Sequence, residues 1–212
     1  MRTLVIGDVH GCSRELDLLL QRVGPDRVVY VGDLYTKGPD PAGVWKLVAA
    51  SGGVVVRGNH DQRLADVVNG RRPHDKHGAA CAAALDAADP DWRAHLAAMP
   101  TWIEDVAGFT VVHAGVHPSG DLAATTFRMA ITMRRFPDED VSPHWADQYV
   151  GERRVIFGHD AVRGLVRRER DGRPWVIGLD SGCVYGGALT GYIPEEDGLV
   201  SVAAERVYKS IG

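Results

Sequence analysis

Six short apolar runs recur along the chain, and each leads through a glycine or a turn to a polar residue that can bind a metal. They are TLVIGDVH, RVVYVGD, VVVRGNHD, FTVVHAG, RVIFGHD and WVIGLDSG. Uninterrupted Val- and Ile-rich runs bounded by Gly or Asp are typical of strands buried on both faces, because half-exposed strands alternate apolar and polar residues. The pattern therefore predicts an interior sheet.

Helical periodicity fills the intervals between these runs. Residues 13–23 place leucines on one face, with Ser13 as the predicted N-cap, and residues 41–50 begin with Pro41, which suits a first helical turn. Further helices are predicted from about residue 60 and over 77–88, 90–99 and 125–136. Strand and helix alternate in this part, so the fold class is α/β.

The last third of the chain is dominated by strands. A hairpin is predicted to turn at Asp171 and Gly172, and ALTGYI and GLVSVAAE follow as further strands. We find no sequence repeat, low-complexity tract or linker, and therefore expect a single domain over residues 1–212, with a small helical cap at about 74–100.

Composition narrows the range of partners. The net charge of -4 and pI near 6.1 give no general attraction to DNA or anionic membranes, so an anionic substrate must be held by local charge or by metal. Three widely spaced cysteines argue against a disulfide framework. With no signal peptide or membrane anchor in sight, we expect a cytoplasmic protein, whose oligomeric state the sequence leaves open.

The candidate chemistry lies at the ends of the apolar runs, where ligands bind in α/β sheets. The residues there are Asp8, His10, Asp33, Asn59, His60, His113 and His159. Carboxylates, a carboxamide oxygen and imidazoles together suit Mn, Fe or Zn. Two metals at a spacing of about 3.5–4 Å need a bridging carboxylate and can act on phosphoryl groups, and Asp33 is the candidate for that bridge.

Five of the motifs stand in a familiar order: GDVHG, GDLYTKG, GNHD, HAG and GH. In this order they resemble the phosphoprotein phosphatase type of calcineurin-like metallophosphoesterases, from Leu4 to about Tyr192. Within that superfamily the segments KGPDP, FGHDAVRGL and GLDSGCVYGGALT look most similar to the symmetrical diadenosine tetraphosphatases and the phosphatases related to them.

The resemblance implies a two-sheet β sandwich flanked by helices, in a four-layer α-β-β-α architecture. It implies two divalent metal ions, with Mn as the first candidate and Fe, Zn or Co as others, and a water or hydroxide between the metals as nucleophile. Asp8, His10 and Asp33 match the ligands of one metal. The other metal would share Asp33 and be held by Asn59, His113 and His159, while His60 matches the histidine that protonates the leaving oxygen.

The chain departs from the protein phosphatases at Thr36 and Lys37, where those enzymes carry Asp-Arg. Thr36 cannot give His60 a negative partner, and Asp61 is a candidate replacement. Lys37 keeps a positive charge without the bidentate fork of arginine, which matters less for a polyphosphate with many oxygens than for one compact phosphoester.

Two further residues are expected at the substrate. Arg134 is the predicted second phosphate-binding residue, with Arg128 and Arg135 as close rivals, and Tyr185 is expected to line the site.

The predicted function is hydrolysis of a small-molecule phosphoanhydride such as a dinucleoside polyphosphate. Diadenosine tetraphosphate cleaved to ADP is the first candidate, and polyphosphate or capped RNA ends are others. One alternative is a Ser/Thr or Tyr phosphoprotein phosphatase with the same metal site. Another is a metal-binding sensor without catalytic activity, in which the loss of the carboxylate beside His60 has silenced the chemistry.

Overall fold

Two five-stranded sheets face each other in the computed structural model, which describes residues 1–72 and 76–210. The strands are β1 (Thr3–Ile6), β2 (Arg27–Tyr30), β3 (Val54–Val55), β4 (Trp102–Val106), β5 (Phe109–Val112), β6 (Arg154–Phe157), β7 (Val166–Arg170), β8 (Arg173–Gly178), β9 (Ala188–Ile193) and β10 (Gly198–Ala203). The helices are α1 (Ser13–Val23), α2 (Pro41–Ser51), α3 (Asn59–Val68), α4 (Lys76–Ala88), α5 (Trp92–Ala98), α6 (Phe127–Thr132) and α7 (Trp145–Gln148).

The first sheet has the order β10-β9-β1-β2-β3, and the second has the order β4-β5-β6-β8-β7. In the first sheet β1, β2 and β3 run parallel, and in the second β5, β6 and β8 do so. Parallel strands end at a common edge, so the loops after β1, β2 and β3 meet on one sheet and those after β5, β6 and β8 meet on the other.

Three apolar layers hold this arrangement together. Between the sheets, Val5, Val29, Val111 and Ile156 belong to one fully buried cluster. The helices α1 to α5 cover the outer face of the first sheet, and α6 and α7 cover that of the second. Interior strands with apolar side chains on both faces explain the uninterrupted Val and Ile runs, and the predicted sandwich flanked by helices is confirmed.

The helices differ from the prediction mainly at their ends. α1 begins at Ser13 as expected, but Cys12 is its N-cap residue, and the Ser13 hydroxyl instead donates to Asp40 Oδ2 at 2.6 Å. α6 is shorter than the predicted 125–136, since it begins after the N-cap Thr126 and ends before Met133, whose backbone is extended. The apolar period continues beyond the helix because Met133 is buried in the same core.

The helical segment that follows α3 packs on the first sheet. Leu85 of α4 and the α5 residues Trp92 and Leu96 are buried in the same cluster as α1 and α2. Residues 73–75, where the expected cap would begin, lie outside the described residues, so the cap remains a prediction. Over 1–72 and 76–210 no helix has the length and apolar character needed to cross a membrane.

Candidate active site

The loops after β1 and β6 bring Asp8 and His159 together across the two sheets. Asp8 is 4 % exposed, and its Oδ1 accepts a hydrogen bond from the His159 backbone N–H at 3.0 Å. A Cβ added at Gly158 would collide with the same oxygen, so the glycine of the GH motif is needed for this close approach. One sheet thus positions the carboxylate that the other sheet fixes in place.

Asp33 lies between two imidazoles, one from each sheet. Its Oδ2 is 3.6 Å from His10 Nε2, and its Oδ1 is 3.6 Å from His113 Nε2. Oδ1 also accepts the backbone N–H of His60 at 2.9 Å, and a Cβ at Gly58 would collide with it. This central placement is the one expected of a bridging carboxylate.

Asn59 connects the remaining predicted ligands. Its Oδ1 lies 3.0 Å from His113 Nε2 and 3.1 Å from His159 Nδ1. The other nitrogen of His113 is bonded to the backbone oxygen of Val31 at 2.8 Å, which orients the ring and leaves Nε2 directed at the cluster. All six predicted metal ligands therefore converge on one place.

Three of these residues have an unusual backbone conformation. The φ angles of His10, Asp33 and His159 are 48°, 54° and 73°, in the left-handed region that costs most residues about 1 kcal/mol or more. His and Asp are among the residues that enter it most readily. Each of these residues lies in a loop that follows a strand, where the chain turns sharply. The unusual backbone conformation therefore occurs at the predicted ligands themselves.

The chemistry of this cluster fits a divalent cation. Asp8, Asp33 and His113 each offer a ligand atom, and these atoms lie within 4.8 Å of one another. Among the described residues, the buried atoms Asp8 Oδ2 and His10 Nδ1 have no hydrogen-bond partner. A buried carboxylate oxygen without a partner is costly, and a bound cation would satisfy it.

The pKa values of the acidic groups in the cluster are raised, as expected for carboxylates that are buried close together. Burial raises the pKa of Asp8, and the nearby charges of Asp180 and Asp33 raise it further. Burial also raises the pKa of Asp33 to about 6. The imidazole of His113 behaves in the opposite way, because burial lowers its pKa to about 4. A neutral imidazole can bind a metal directly, whereas the carboxylates must lose their protons to do so.

Asp180 is a buried acid of this site that the sequence analysis did not single out. It follows β8, is 5 % exposed, and its Oδ1 accepts the Gly182 N–H at 3.1 Å. Burial raises its pKa to about 6. The available signal was its position in GLDSG, directly after the last of the six apolar runs.

Asp61 has a different role from the one considered for it. Its carboxylate accepts the backbone N–H groups of Asp33 at 2.7 Å, Leu34 at 3.1 Å and Gly58 at 3.1 Å. Both oxygens are thus occupied in holding two ligand loops together, and Asp61 does not replace the carboxylate that Thr36 lacks. The interpretation of Asp61 as a partner of His60 was wrong, because α3 directs this side chain inward to its own N-terminus.

His60 and Lys37 lie at the open side of the cluster. The rings of His60 and His10 meet edge to face with centroids 5.1 Å apart, and Lys37 Nζ is 2.9 Å from His10 Nε2. Burial lowers the pKa of His60 to about 3, and the charges of Lys37 and His113 act in the same direction. Because Nε2 of His10 has a single lone pair, binding of a metal there would release Lys37.

The three candidate arginines have clearly different surroundings. Arg134 donates to the backbone oxygen of His159 at 3.3 Å and lies 3.5 Å from Asp160, so it borders the cluster. Arg128 pairs with Asp138 at 3.0 Å and is 80 % exposed. Arg135 donates to the backbone oxygen of Ser142. Of the three, Arg134 has the position from which a phosphate at the cluster can be reached.

Tyr185 contacts the same region through Lys37, whose Nζ lies 5.4 Å from the centre of the tyrosine ring. The ring is half-buried and packs on the core beneath α1. Tyr185 therefore flanks Lys37, as a cation–π contact, and not the carboxylates themselves.

Two sheets whose strand ends converge on buried Asp and His side chains and on the partly buried Asn59 define a metallophosphoesterase. A family model described as calcineurin-like phosphoesterase matches residues 1–185, and the chain belongs to this family. Enzymes of this kind use divalent metal ions, in agreement with the buried Asp8, Asp33 and His113 cluster.

The most similar relatives include two proteins named bis(5'-nucleosyl)-tetraphosphatase PrpE (asymmetrical). The one from Halalkalibacterium halodurans is 30 % identical over 95 % of this chain and 94 % of its own length. The one from Bacillus subtilis is 29 % identical over 96 % and 95 %. The sequence motifs resembled the symmetrical branch, whereas these relatives are named for asymmetrical cleavage.

Solved structures show the same relationship. A crystal structure described as that of a proposed diadenosine tetraphosphatase has a TM-score of 0.80 and 34 % identity, covering 96 % of this chain and 93 % of the other. A yeast protein serine/threonine phosphatase has a TM-score of 0.61 and 14 % identity over 98 % of this chain and 80 % of its own. The second similarity concerns the fold alone.

Proposed function

We propose that this chain is a divalent-metal-dependent phosphohydrolase that cleaves a phosphoanhydride bond of dinucleoside tetraphosphates. The names of the relatives and of the similar solved structure support this substrate class. The observation that carries the proposal is that the predicted metal site and a cationic cavity lie side by side. A buried carboxylate and imidazole cluster opens, at His60 and Lys37, directly into a cavity lined by cationic side chains.

The cluster offers ligands for two ions. Asp8, His10 and Asp33 would hold one, and Asn59, His113 and His159 would hold the other, with Asp33 shared between them. Mixed nitrogen and oxygen ligands favour Mn as the first candidate and accept Fe, Zn or Co. When bound, such ions neutralise the charge that develops on the transferred phosphoryl group.

The cationic side chains would hold the substrate. Lys37 and Arg134 lie on different sides of the cluster, one beside His10 and the other beside His159. Two cations placed in this way can bind different oxygens of one phosphate or of successive phosphates. Together they orient the scissile phosphorus over the cluster, which is the main contribution a protein makes to phosphoryl transfer.

The electrostatics of His60 favour an anhydride over a phosphoprotein. His60 is held neutral, with its pKa lowered to about 3, and Thr36 supplies no negative partner. A weak proton donor suffices when the leaving group is a phosphate with a second pKa of about 6. The alkoxide of a serine is a far more basic leaving group and requires a positioned acid. Thr36 therefore fits a specialised anhydride hydrolase.

Product analysis tests the proposal and identifies the bond that is cleaved. Metal-free protein is loaded with Mn or with Zn, incubated with diadenosine tetraphosphate, and its products are separated by anion-exchange chromatography, with Asp33→Asn as the control. We expect AMP and ATP, since the relatives are named for asymmetrical cleavage. ADP alone would keep the phosphoanhydride function and establish symmetrical cleavage, as the sequence motifs indicate.

Two results would overturn this function. Faster turnover of a phosphoserine peptide than of the tetraphosphate would identify a phosphoprotein phosphatase. Stable metal binding without hydrolysis of either substrate would identify a sensor.

A further inference from the structure

A cavity of about 300 Å³ opens beside the metal cluster. His60, Arg63, Leu64 and Val67 line it from one face of α3, where residues three and four apart are neighbours. Lys37 lines it from the loop after β2. Its size lies at the lower end of the range for small-molecule sites, enough for one nucleotide and too small for a folded protein segment.

The opposite wall is a segment near the end of the chain, which we call the strap (residues 205–209). The Tyr208 hydroxyl and the Glu205 backbone N–H both donate to Oε1 of Glu15, at 2.8 and 2.9 Å. The backbone N–H groups of Tyr208 and Lys209 both donate to the carbonyl of Val184, at 3.1 and 3.0 Å. Glu15 is 1 % exposed, so the strap is anchored in the core.

This anchoring places one more cation at the cavity. Lys209 lines the cavity and is close enough to His60 to be among the charges that lower the pKa of that imidazole, after burial and the charges of Lys37, His113 and Arg63. Tyr208 lines the same wall. The cavity therefore joins ammonium groups, which bind phosphate oxygens, to an apolar and aromatic surface of the kind against which a base can lie.

We propose that this cavity binds the leaving nucleotide, with its phosphates on Lys209 and Lys37 and its base against Leu64, Val67 and Tyr208. The inference rests on the proposed function. In that reaction water adds to the scissile phosphorus, the bond from phosphorus to the bridging oxygen breaks, and its electron pair stays on this oxygen, which leaves as a phosphate anion and can accept a hydrogen bond from the N–H of the neutral His60 imidazole. One proton of the water is released to solvent. Since the bridging oxygen belongs to the leaving nucleotide, that nucleotide must extend away from His60, and the cavity begins there.

The test is isothermal titration calorimetry of Mn-loaded protein with ADP, used as a probe that carries one base and a short phosphate chain, and, separately, with inorganic phosphate. Lys209→Gln removes the strap charge, Lys209→Glu reverses it, and Lys46→Gln is the matched control at an exposed lysine of α2 outside the cavity. Loss of one charged phosphate contact should weaken ADP binding about tenfold in Lys209→Gln and more in Lys209→Glu. Binding of inorganic phosphate, which the cluster would hold together with Lys37 and Arg134, should change by less than about threefold in either variant.

Equal ADP affinity in Lys209→Gln and Lys46→Gln would overturn the proposal. An equal loss for ADP and phosphate would do the same, because it would show a general field effect. Failure of this inference and failure of the proposed function can be distinguished, because product analysis with diadenosine tetraphosphate tests that function separately. If wild-type protein hydrolyses the tetraphosphate but Lys209 has no effect on ADP, only the cavity assignment fails; if ADP binding depends on Lys209 but no hydrolysis occurs, only the reaction fails.

Discussion

The metal cluster and the cavity beside it are built in opposite ways. In the cluster, Asp8 and Asp33 are nearly inaccessible and their oxygens accept backbone N–H groups, so each position is fixed by the main chain. In the cavity, Lys37 and Lys209 present long, rotatable side chains at a half-open surface. A reaction centre requires fixed geometry, whereas a pocket for a polyphosphate requires charge that can follow the ligand.

The largest effect expected from this contrast is at Asp33. Asp33→Asn removes the charge that both groups of ligands share, so we expect loss of metal binding and a decrease in kcat/KM of about a thousandfold, or roughly 4 kcal/mol of barrier. Metal analysis and steady-state kinetics measure both. Asp91→Asn, at the N-cap position of α5, is the matched control, because this exposed side chain makes no capping hydrogen bond and lies outside the cluster. Normal metal content in Asp33→Asn would remove Asp33 from the cluster.

His60 lines the cavity and also contacts His10 of the cluster, so its replacement should distinguish metal binding from catalysis. His60→Asn keeps the backbone N–H that Asp33 accepts, so metal content should be unchanged. Without the imidazole N–H beside the leaving oxygen, kcat should fall about a hundredfold on phenyl phosphate, whose leaving group has a pKa near 10, and only about tenfold on the tetraphosphate. Equal losses on the two substrates would contradict the argument that Thr36 favours anhydrides.

A smaller effect is expected at Arg134, which borders the cluster. Arg134→Gln should raise KM for the tetraphosphate about tenfold, because it removes a cation beside His159. Arg128→Gln, with an exposed guanidinium already paired with Asp138, is the matched control and should leave KM within about twofold of wild type. The reverse ranking, measured by steady-state kinetics, would assign the phosphate contact to Arg128.

The smallest effect concerns the pH dependence of metal binding. The pKa values of Asp33 and Asp180 are raised to about 6, so these groups take up protons as the pH falls through 6. A metal ion must then displace these protons, and the affinity for the metal should fall about tenfold per pH unit for each proton displaced. Asp180→Asn removes a charge that raises the pKa of Asp8, so the decline in metal affinity should begin at a lower pH. Mn titrations between pH 5 and 8 measure this, and an unchanged profile would place Asp180 outside the cluster.

The comparison also explains what sequence could predict. Each cluster residue follows an apolar strand within a short motif, so strand periodicity alone places Asp8, Asp33 and His113 at the sheet edges. The strap could not be predicted in this way, because its anchor joins Glu15 to Tyr208 across 193 positions. A glutamate within a helix, such as Glu15 of α1, is expected to face solvent, and only the packed structure shows that it is buried.

Local patterns also misassigned residues that serve the backbone. Asp61, third in α3, has the position of a common helix-capping acid, yet its oxygens also hold the loop that carries Asp33. Ser13 has a good capping side chain but bonds Asp40 instead. In both places a contact distant in sequence competes with a local preference and prevails.

The bond between His159 and Asp8 spans 151 residues, which has a consequence for synthesis. At translation rates of about 5–20 residues per second, Asp8 emerges roughly 8 to 30 s before its partner. A nascent chain therefore carries the first motifs long before it can close a complete ion site, and Lys209 follows later still. The growing polypeptide can bring Asp8 and His159 together only after residue 159 has left the ribosome, so a chain released before that point would carry unmatched ligands and no competent enzyme.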